Sequence, residues 1–242
     1  MAAVSLLSAR GLTRHFGGLK AVDGVDFDLS PGEIHALIGP NGAGKTTFVS
    51  LLCGRVPVQS GTITFAGQDI TRLPAHARVA RGIAYTFQIT SIYGRLSVFD
   101  NVALAVQRRG TGRDTLREGT MAALDRVGLG ALADQEAGTL AYGHQRLLEI
   151  AMGLALGPRL LILDEPTQGL ANAEIDTFKA LVRSVVPETT VLLIEHNMDV
   201  VMDLAHRITV LNFGRHLAMG TPAEVRADPA VQAAYLGTGT DG

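Results

Sequence analysis

A chain of 242 residues with 47% hydrophobic side chains can bury a sizeable core, which excludes an intrinsically disordered protein. Its 21 basic and 23 acidic residues nearly cancel, so there is no electrostatic footprint for nucleic acid or for an anionic membrane surface. The longest nearly uninterrupted apolar run, Ile150 to Gly157, stops at Pro158 and Arg159, short of the ~20 residues that span a bilayer. Met1 to Ala9 is apolar but has no basic stretch ahead of it, and reads as no secretory signal. A lone Cys53 excludes an internal disulfide and a cysteine-rich zinc site, and is expected as a small core residue.

In chain order, strands are expected near Ser5–Thr13, Val25–Leu29, Ile34–Ile38, Thr62–Phe65 and Ile83–Phe87, then at Leu160–Leu163, Thr190–Ile194, Ile208–Leu211 and His216–Met219. Val25–Leu29 alternates acids with apolar residues, which suits an antiparallel strand with one wet face. Leu160–Leu163 and Val191–Ile194 are apolar without alternation and belong in a sheet covered on both faces. Between Gln88 and about Gly157 the strand signals vanish, and Val98–Arg108, Asp114–Val127 and His144–Leu156 carry helical spacing. The pattern is α/β, with a helical subdomain inserted into the core.

Gly39-Pro40-Asn41-Gly42-Ala43-Gly44-Lys45-Thr46-Thr47 fits G-x-x-x-x-G-K-[ST], following a strand and opening a helix. Glycines at 39, 42 and 44 let backbone N–H groups turn inward around an anion, and the helix N-terminus adds its positive dipole end. Lys45 offers a point charge to the β- and γ-phosphates, and Thr46 a hydroxyl to Mg²⁺. Only three lysines occur in the chain, and one stands where a broad guanidinium would not fit. The segment is expected to cradle a nucleoside triphosphate.

Asp164 and Glu165 follow the apolar strand Leu160–Leu163, at the carboxyl end where ligands bind in open α/β sheets. Adjacent strand residues point to opposite sides, so the two acids need not share a role. Asp164 is placed to hold Mg²⁺ through water, and Glu165 to orient and deprotonate the water attacking the γ-phosphate. A further strand ends in Glu195 and His196, and that histidine can hydrogen-bond the γ-phosphate or serve structurally.

Taken in order, the phosphate loop, Gln88 in Tyr85-Thr86-Phe87-Gln88, Leu140-Ala141-Tyr142-Gly143-His144-Gln145-Arg146, Asp164-Glu165-Pro166 and His196 resemble the ABC ATPase family over nearly the whole chain. The resemblance implies a P-loop NTPase fold of the ABC-ATPase type: a mixed sheet flanked by helices, an antiparallel β subdomain and an inserted helical subdomain. It implies one domain, with a core from 1–88 and 158–242 and a helical part over 89–157. It also implies ATP and Mg²⁺ as cofactors, Phe16 against the adenine ring, and Gln88 beside the reaction as a further Mg²⁺ ligand. The resemblance further implies that Leu140, Ala141, Tyr142, Gly143, His144 and Gln145 form the signature that completes the ATP site of an opposite subunit. The segment from Gln88 through Ile89–Leu96 is the family's usual docking surface for a membrane partner.

Within the family, Arg14-His15-Phe16-Gly17-Gly18, Thr86-Phe87-Gln88, Tyr142 to Ala151, Ile194 to Met202 and Pro229–Gly237 are similar to the ATPases of bacterial high-affinity branched-chain amino acid importers. That likeness implies a peripheral protein on the cytoplasmic face of the inner membrane. Its partners would be a second ATPase subunit, two membrane permeases and, indirectly, a periplasmic binding protein, with no nucleic acid. Relatives carrying urea, amides or aromatic acids are the alternative, as is a soluble ABC ATPase unconnected to transport. A GTPase reading lacks an Asn-Lys-x-Asp guanine reader. The chain departs from the family's LSGGQ: Ala141 replaces the serine that reaches the γ-phosphate, Tyr142 a glycine and His144 the glutamine. A hydrogen bond to a charged group is worth about 1.5–3 kcal/mol, so the site this segment completes is expected to be weakened. Gln168-Gly169-Leu170-Ala171 also lacks the family's aspartate, which raises a non-catalytic clamp as an alternative. Together these departures suggest an asymmetric pairing with a different ATPase.

Overall fold

The computed structural model of the chain describes residues 5–86, 91–108, 113–186 and 188–236. In chain order these form β1 (Leu7–Phe16), β2 (Leu19–Leu29), β3 (Ile34–Ile38), α1 (Lys45–Cys53), β4 (Ser60–Phe65), β5 (Gln68–Asp69), α2 (Ala75–Val79) and β6 (Ile83–Thr86). Then come α3 (Val98–Gln107), α4 (Arg113–Arg126), α5 (Tyr142–Ala155), β7 (Leu160–Asp164), α6 (Asn172–Val185), β8 (Thr190–Ile194), α7 (Met198–Leu204), β9 (Arg207–Asn212), β10 (Arg215–Gly220), α8 (Pro222–Ala227) and α9 (Pro229–Leu236). They group into two units, one drawn from residues up to Arg81 and from Val186 onward, the other from Gly82–Val185.

The first unit holds an antiparallel sheet in the order β2-β1-β4-β5. Strand β2 begins at Leu19 rather than Val25 because pairing with β1 runs on to the hairpin turn, where Phe16 faces Leu19. Its alternation behaves as expected, with Val25, Phe27 and Leu29 buried and Asp26 exposed. The outward acids are put to use: Asp26 accepts from the Gly11 N–H at 2.6 Å, and Asp28 takes two bonds of 2.8 Å from Arg10. A second, mixed set runs β10-β9-β3-β8, with β3 parallel to both β9 and β8 and β10 antiparallel to β9. All five residues of β3 and of β8 are buried, as uninterrupted apolar strands require when both faces are covered. One cover is a cluster of Ala36, Ile38, Val201, Ala205, Ile208, Val210, Val225 and Val231, which draws α7, α8 and α9 onto the sheet.

Helix α1 is held at its carboxyl end by a residue that has no hydrophobic reason to be inside. Arg78, on the five-residue α2, is buried and donates to the carbonyls of Leu51 and Leu52 at 2.7 Å, with further bonds to Leu73 and Thr71. A guanidinium there answers both the orphan carbonyls and the negative end of the helix dipole. Burial pushes its pKa down, yet the carbonyl oxygens supply the partners a buried cation requires.

In the second unit β6 and β7 pair in parallel, Tyr85 facing Ile162 and Thr86 facing Leu163. Helix α3 packs against α4 and α5. It starts at Ser97, whose hydroxyl accepts the Asp100 N–H, and buried Asn101 ties the preceding turn by bonding both backbone groups of Tyr93. Apolar residues on α5 (Leu148, Ile150, Ala151, Leu154) supply one buried stripe at helical spacing.

Candidate nucleotide-binding site

The glycine-rich loop leaves β3 at Ile38 and turns directly into α1. At Gly39 a Cβ would strike the Leu211 carbonyl of β9, and at Gly44 it would strike the Ala21 carbonyl and come within 3.3 Å of Gly214. Gly44 is also the N-cap of α1 with φ 97°, a left-handed backbone that glycine adopts without penalty. Lys45 is nearly buried, and its Nζ donates to the Gly39 carbonyl at 2.6 Å and to the Pro40 carbonyl at 3.1 Å. The ammonium is thereby held inside the ring of the loop, while Thr46 is exposed. The Gly214 N–H donates to the Ala43 carbonyl at 3.0 Å, so the β9–β10 hairpin tip braces the loop from outside.

That tip is fastened to β2. Asp23 accepts from the Arg215 guanidinium at 2.8 and 3.0 Å, lies 3.1 Å from His15 Nε2, and gives its own N–H to the Gly214 carbonyl. The Arg215 hydrogen bonds, helped by His15 and the Lys20 charge, bring its carboxyl down to about 2. Next to this knot, at the end of β1, Phe16 is 46% exposed and carries the Arg14 guanidinium 4.7 Å from its ring centroid. A ring backed by a cation on one face can stack a base on the other.

His196 lies just beyond β8, which pairs with β3 so that Leu37 faces Ile194. The histidine and the phosphate loop therefore leave neighbouring parallel strands at the same end of the first unit. Buried Glu195 accepts the backbone N–H groups of His196 and Asn197 at 3.0 and 3.2 Å, and Asn197 caps α7, leaving His196 exposed.

In the second unit, β7 ends in Asp164, which is 3% exposed and accepts from the Tyr85 hydroxyl at 2.6 Å. This short bond to a carboxylate fixes the side chain's direction. Glu165 follows with φ 48°, a left-handed backbone that costs a non-glycine residue about 1–3 kcal/mol and is characteristic of functional positions. Beyond it the chain turns tightly, with the Gln168 N–H on the Glu165 carbonyl at 3.2 Å. The signature segment lies against this turn. The Tyr142 ring sits over Gly169, 2.9 Å from where a Cβ would be, and Gly143 abuts the Glu174 carboxylate at the start of α6. Ala141 is the N-cap of α5 and gives it no side-chain acceptor. Leu140 is buried, Gln145 donates to the Leu140 carbonyl at 3.0 Å, and His144 is exposed.

Sequence reasoning located the motif residues but missed their supports: Arg14 behind Phe16, Tyr85 on Asp164 and Glu174 against Gly143. Only Tyr85 left a trace, a polar-tipped aromatic on an expected strand, and its partner depends on the β6–β7 register. Gln88 and Ile89 lie outside the described residues.

The family model described as ABC transporter matches residues 22–168. The chain belongs to this family. A second model, for the branched-chain amino acid ATP-binding cassette transporter, matches residues 215–241 of the ABC subunit. It is 40% identical, over 96% of its own length and 98% of the relative's, to the high-affinity branched-chain amino acid transport ATP-binding protein BraF of Pseudomonas aeruginosa. Identity to the corresponding protein LivG of Escherichia coli is 41%, with the same coverage. Among solved structures it resembles MJ1267, an ATP-binding cassette of an ABC transporter in its ADP conformation, with TM-score 0.87 and 27% identity over 97% of this chain and 99% of that one. CbiO1 of Clostridium perfringens, part of the ABC transporter complex cbiONQ, follows at TM-score 0.83 and 26% identity, with the same coverage. The expected α/β P-loop fold of the ABC-ATPase type holds, and the ABC subunit is an ATPase that binds nucleotide. Among the described residues no helix is long and apolar enough to cross a membrane.

Proposed function

We propose that this ABC ATPase powers the uptake of branched-chain amino acids, acting at the cytoplasmic face of the inner membrane through two permease subunits that receive cargo from a periplasmic binding protein. The observation that carries the reading is the 40–41% identity, along 96% of the chain, to two proteins of high-affinity branched-chain amino acid transport. The match of residues 215–241 to a segment specific to such transporters supports it independently. Tyr93, Leu96 and Leu104 are large apolar residues left exposed in the second unit, 59%, 37% and 46%, and we assign Tyr93 and Leu96 to the permease-docking surface. The chain is read as one ABC ATPase domain, a core of 1–88 and 158–242 with a helical subdomain over 89–157.

In this reading Gly39, Pro40, Asn41, Gly42, Ala43, Gly44, Lys45, Thr46 and Thr47 wrap the phosphates, and Phe16 stacks on the adenine. Glu165 orients and deprotonates the attacking water, with His196 beside the terminal phosphate and Gln88 assisting. Thr46, Gln88 and Asp164 would hold Mg²⁺. The hydroxyl and carboxylate oxygens of Thr46 and Asp164 are the hard donors that ion prefers, and no group of three acidic, histidine or cysteine residues forms a cage of its own among the described residues. When bound, the ion supplies charge neutralisation between the phosphates. The retained Glu165 and His196 favour hydrolysis over a passive clamp.

We further infer a heterodimer with a second ATPase. With Ala141 offering no oxygen, the N-terminus of α5 contributes backbone N–H groups alone to the ATP of the opposite subunit. Uptake of labelled leucine, in cells lacking their own importer ATPase but supplied with this chain and its neighbouring permease genes, is the test. Uptake that vanishes with Lys45→Ala supports the reading; transport of urea, an amide or an aromatic acid instead reassigns the cargo.

A further inference from the structure

Phe16 and the phosphate loop, read above as gripping the two ends of one nucleotide, sit on different parts of the first unit, and one side chain ties those parts together. Asp23 Oδ2 accepts from both Nε and Nη2 of Arg215 on the β9–β10 hairpin, at 3.0 and 2.8 Å, whereas Oδ1 lies 3.1 Å from Nε2 of His15, the neighbour of Phe16. A carboxylate only accepts, so the imidazole Nε2 carries the hydrogen of that bond. From Arg215 the path needs one more step: Gly214, its neighbour, gives its N–H to the Ala43 carbonyl of the loop. Phe16 and Ala43 are therefore joined through His15, Asp23 and the hairpin tip.

The backbone prepares this tie. Leu12 pairs with Val25 and Arg14 with Val22, so Thr13 alone stands opposite Asp23 and Gly24, a β-bulge in which Gly24 has φ 71° and gives its N–H to the Thr13 hydroxyl at 3.1 Å. Bulges gather next to functional sites because the extra residue re-aims a side chain. A second irregularity, between Arg14 and His15, leaves the end of β1 with an interrupted ladder just before Phe16. Nor does packing close the gap: a cavity of about 640 Å³ lies between Gly18, Leu19 and Lys20 of the β1–β2 turn and Phe213, Arg215 and His216 of the hairpin. The exposed Lys20 ammonium, 3.5 Å from Oδ2, adds little to the tie.

We propose that Asp23 is a positioning residue that sets the span between the adenine platform at Phe16 and the phosphate loop, and so raises the chain's preference for a nucleotide over a bare polyphosphate. A ligand held at both ends gains from the second grip only when the two grips stand at the distance the ligand spans. Slack between them is ordering that binding must supply. Removing the Asp23 side chain leaves its backbone N–H on the Gly214 carbonyl at 2.8 Å and the Gly214 bond to Ala43, so the loop keeps its brace while the platform loses its tie. The inference rests on the reading that Phe16 stacks the base and residues 39–47 hold the phosphates.

The experiment is calorimetric titration of the full chain and its Asp23→Ala variant, in Mg²⁺, with ATP and separately with inorganic tripolyphosphate. ATP is expected to bind the variant about three- to tenfold more weakly, a part of what a stacked base contributes, while tripolyphosphate stays within about twofold of the unmodified chain. Added to Phe16→Ala, the same change costs no further ATP affinity, because no platform is left to place. His15→Ala, which spares the Asp23–Arg215 pair, gives the same split and carries the test if Asp23→Ala does not fold. Equal weakening for both ligands, weakening of neither, or full additivity with Phe16→Ala makes Asp23 a structural support and overturns the proposal. The underlying reading fails separately: if Lys45→Ala binds ATP as the unmodified chain does, the loop assignment is wrong, if Phe16→Ala does, the platform is wrong, and the proposal falls with either.

Discussion

The phosphate loop and the signature segment are both helix N-termini suited to a polyanion, and they are furnished very differently. The start of α1 is braced from one side, with backbone of Leu211, Ala21 and Gly214 against Gly39 and Gly44 and Lys45 tied to two loop carbonyls, while Gly42 and Thr46 stay exposed. The start of α5 has an alanine cap with no acceptor, a Tyr142 that is 44% exposed yet seated over Gly169, and a close fit of Gly143 against Glu174. In the proposed reading, the first unit carries its phosphate-binding geometry ready-made. The second offers backbone amides whose use depends on what faces them, and it couples them through Tyr142 and Gly169 to the turn that bears its own Glu165. This contrast is what the proposed pairing with a different ATPase subunit requires, the loop binding its own ATP firmly and the signature serving the partner's more weakly.

The largest effect that sharpens this contrast is expected at Glu165. Glu165→Gln keeps the left-handed backbone and the hydrogen-bonding shape but removes the base, so steady-state ATPase activity of the assembled transporter should fall about 10²–10⁴-fold with nucleotide affinity preserved. Normal turnover would remove Glu165 from the chemistry.

A smaller effect tests the signature. Ala141→Ser returns a hydroxyl to the N-cap of α5, which is worth about 0.5–2 kcal/mol as a cap. By reaching the opposite phosphate it should strengthen ATP-driven association of the Glu165→Gln protein about tenfold. Sedimentation of the two variants with ATP measures this, and equal association constants would show that the backbone amides already suffice.

The smallest effect concerns the knot behind the loop. Asp23 has its carboxyl lowered to about 2, chiefly by Arg215, so its contribution is present above the unfolded carboxylate value near 4 and is lost as pH falls through about 2. Acid unfolding of Asp23→Asn should show a shallower stability slope between about pH 4 and 2 than the unmodified chain. Identical slopes would mean that the hairpin tip is held by its backbone bonds alone.

What the sequence made legible were features written in consecutive residues. The phosphate loop, the acidic pair after an apolar run and the histidine after another are local, and the strands that carry them are long enough to declare their burial. The supports were illegible because they depend on register and packing between distant segments. Tyr85 meets Asp164 only because β6 pairs with β7 in one particular register. Arg78 rides on a helix of five residues, too short for periodicity to announce, and an arginine is not read as core until its carbonyl partners are seen. The two-residue β5 escaped notice for the same reason. Tyr142 was visible as a departure from the family's glycine, but its seat over Gly169 was not.

The central claim, that residues 39–47 of this chain hold the phosphates of ATP, is tested most directly by equilibrium titration of the purified chain and its Lys45→Ala variant with ATP. Saturable binding by the unmodified chain, lowered at least about tenfold in the variant, is the result expected for loss of a charged donor. Equal affinity in the two proteins would contradict it.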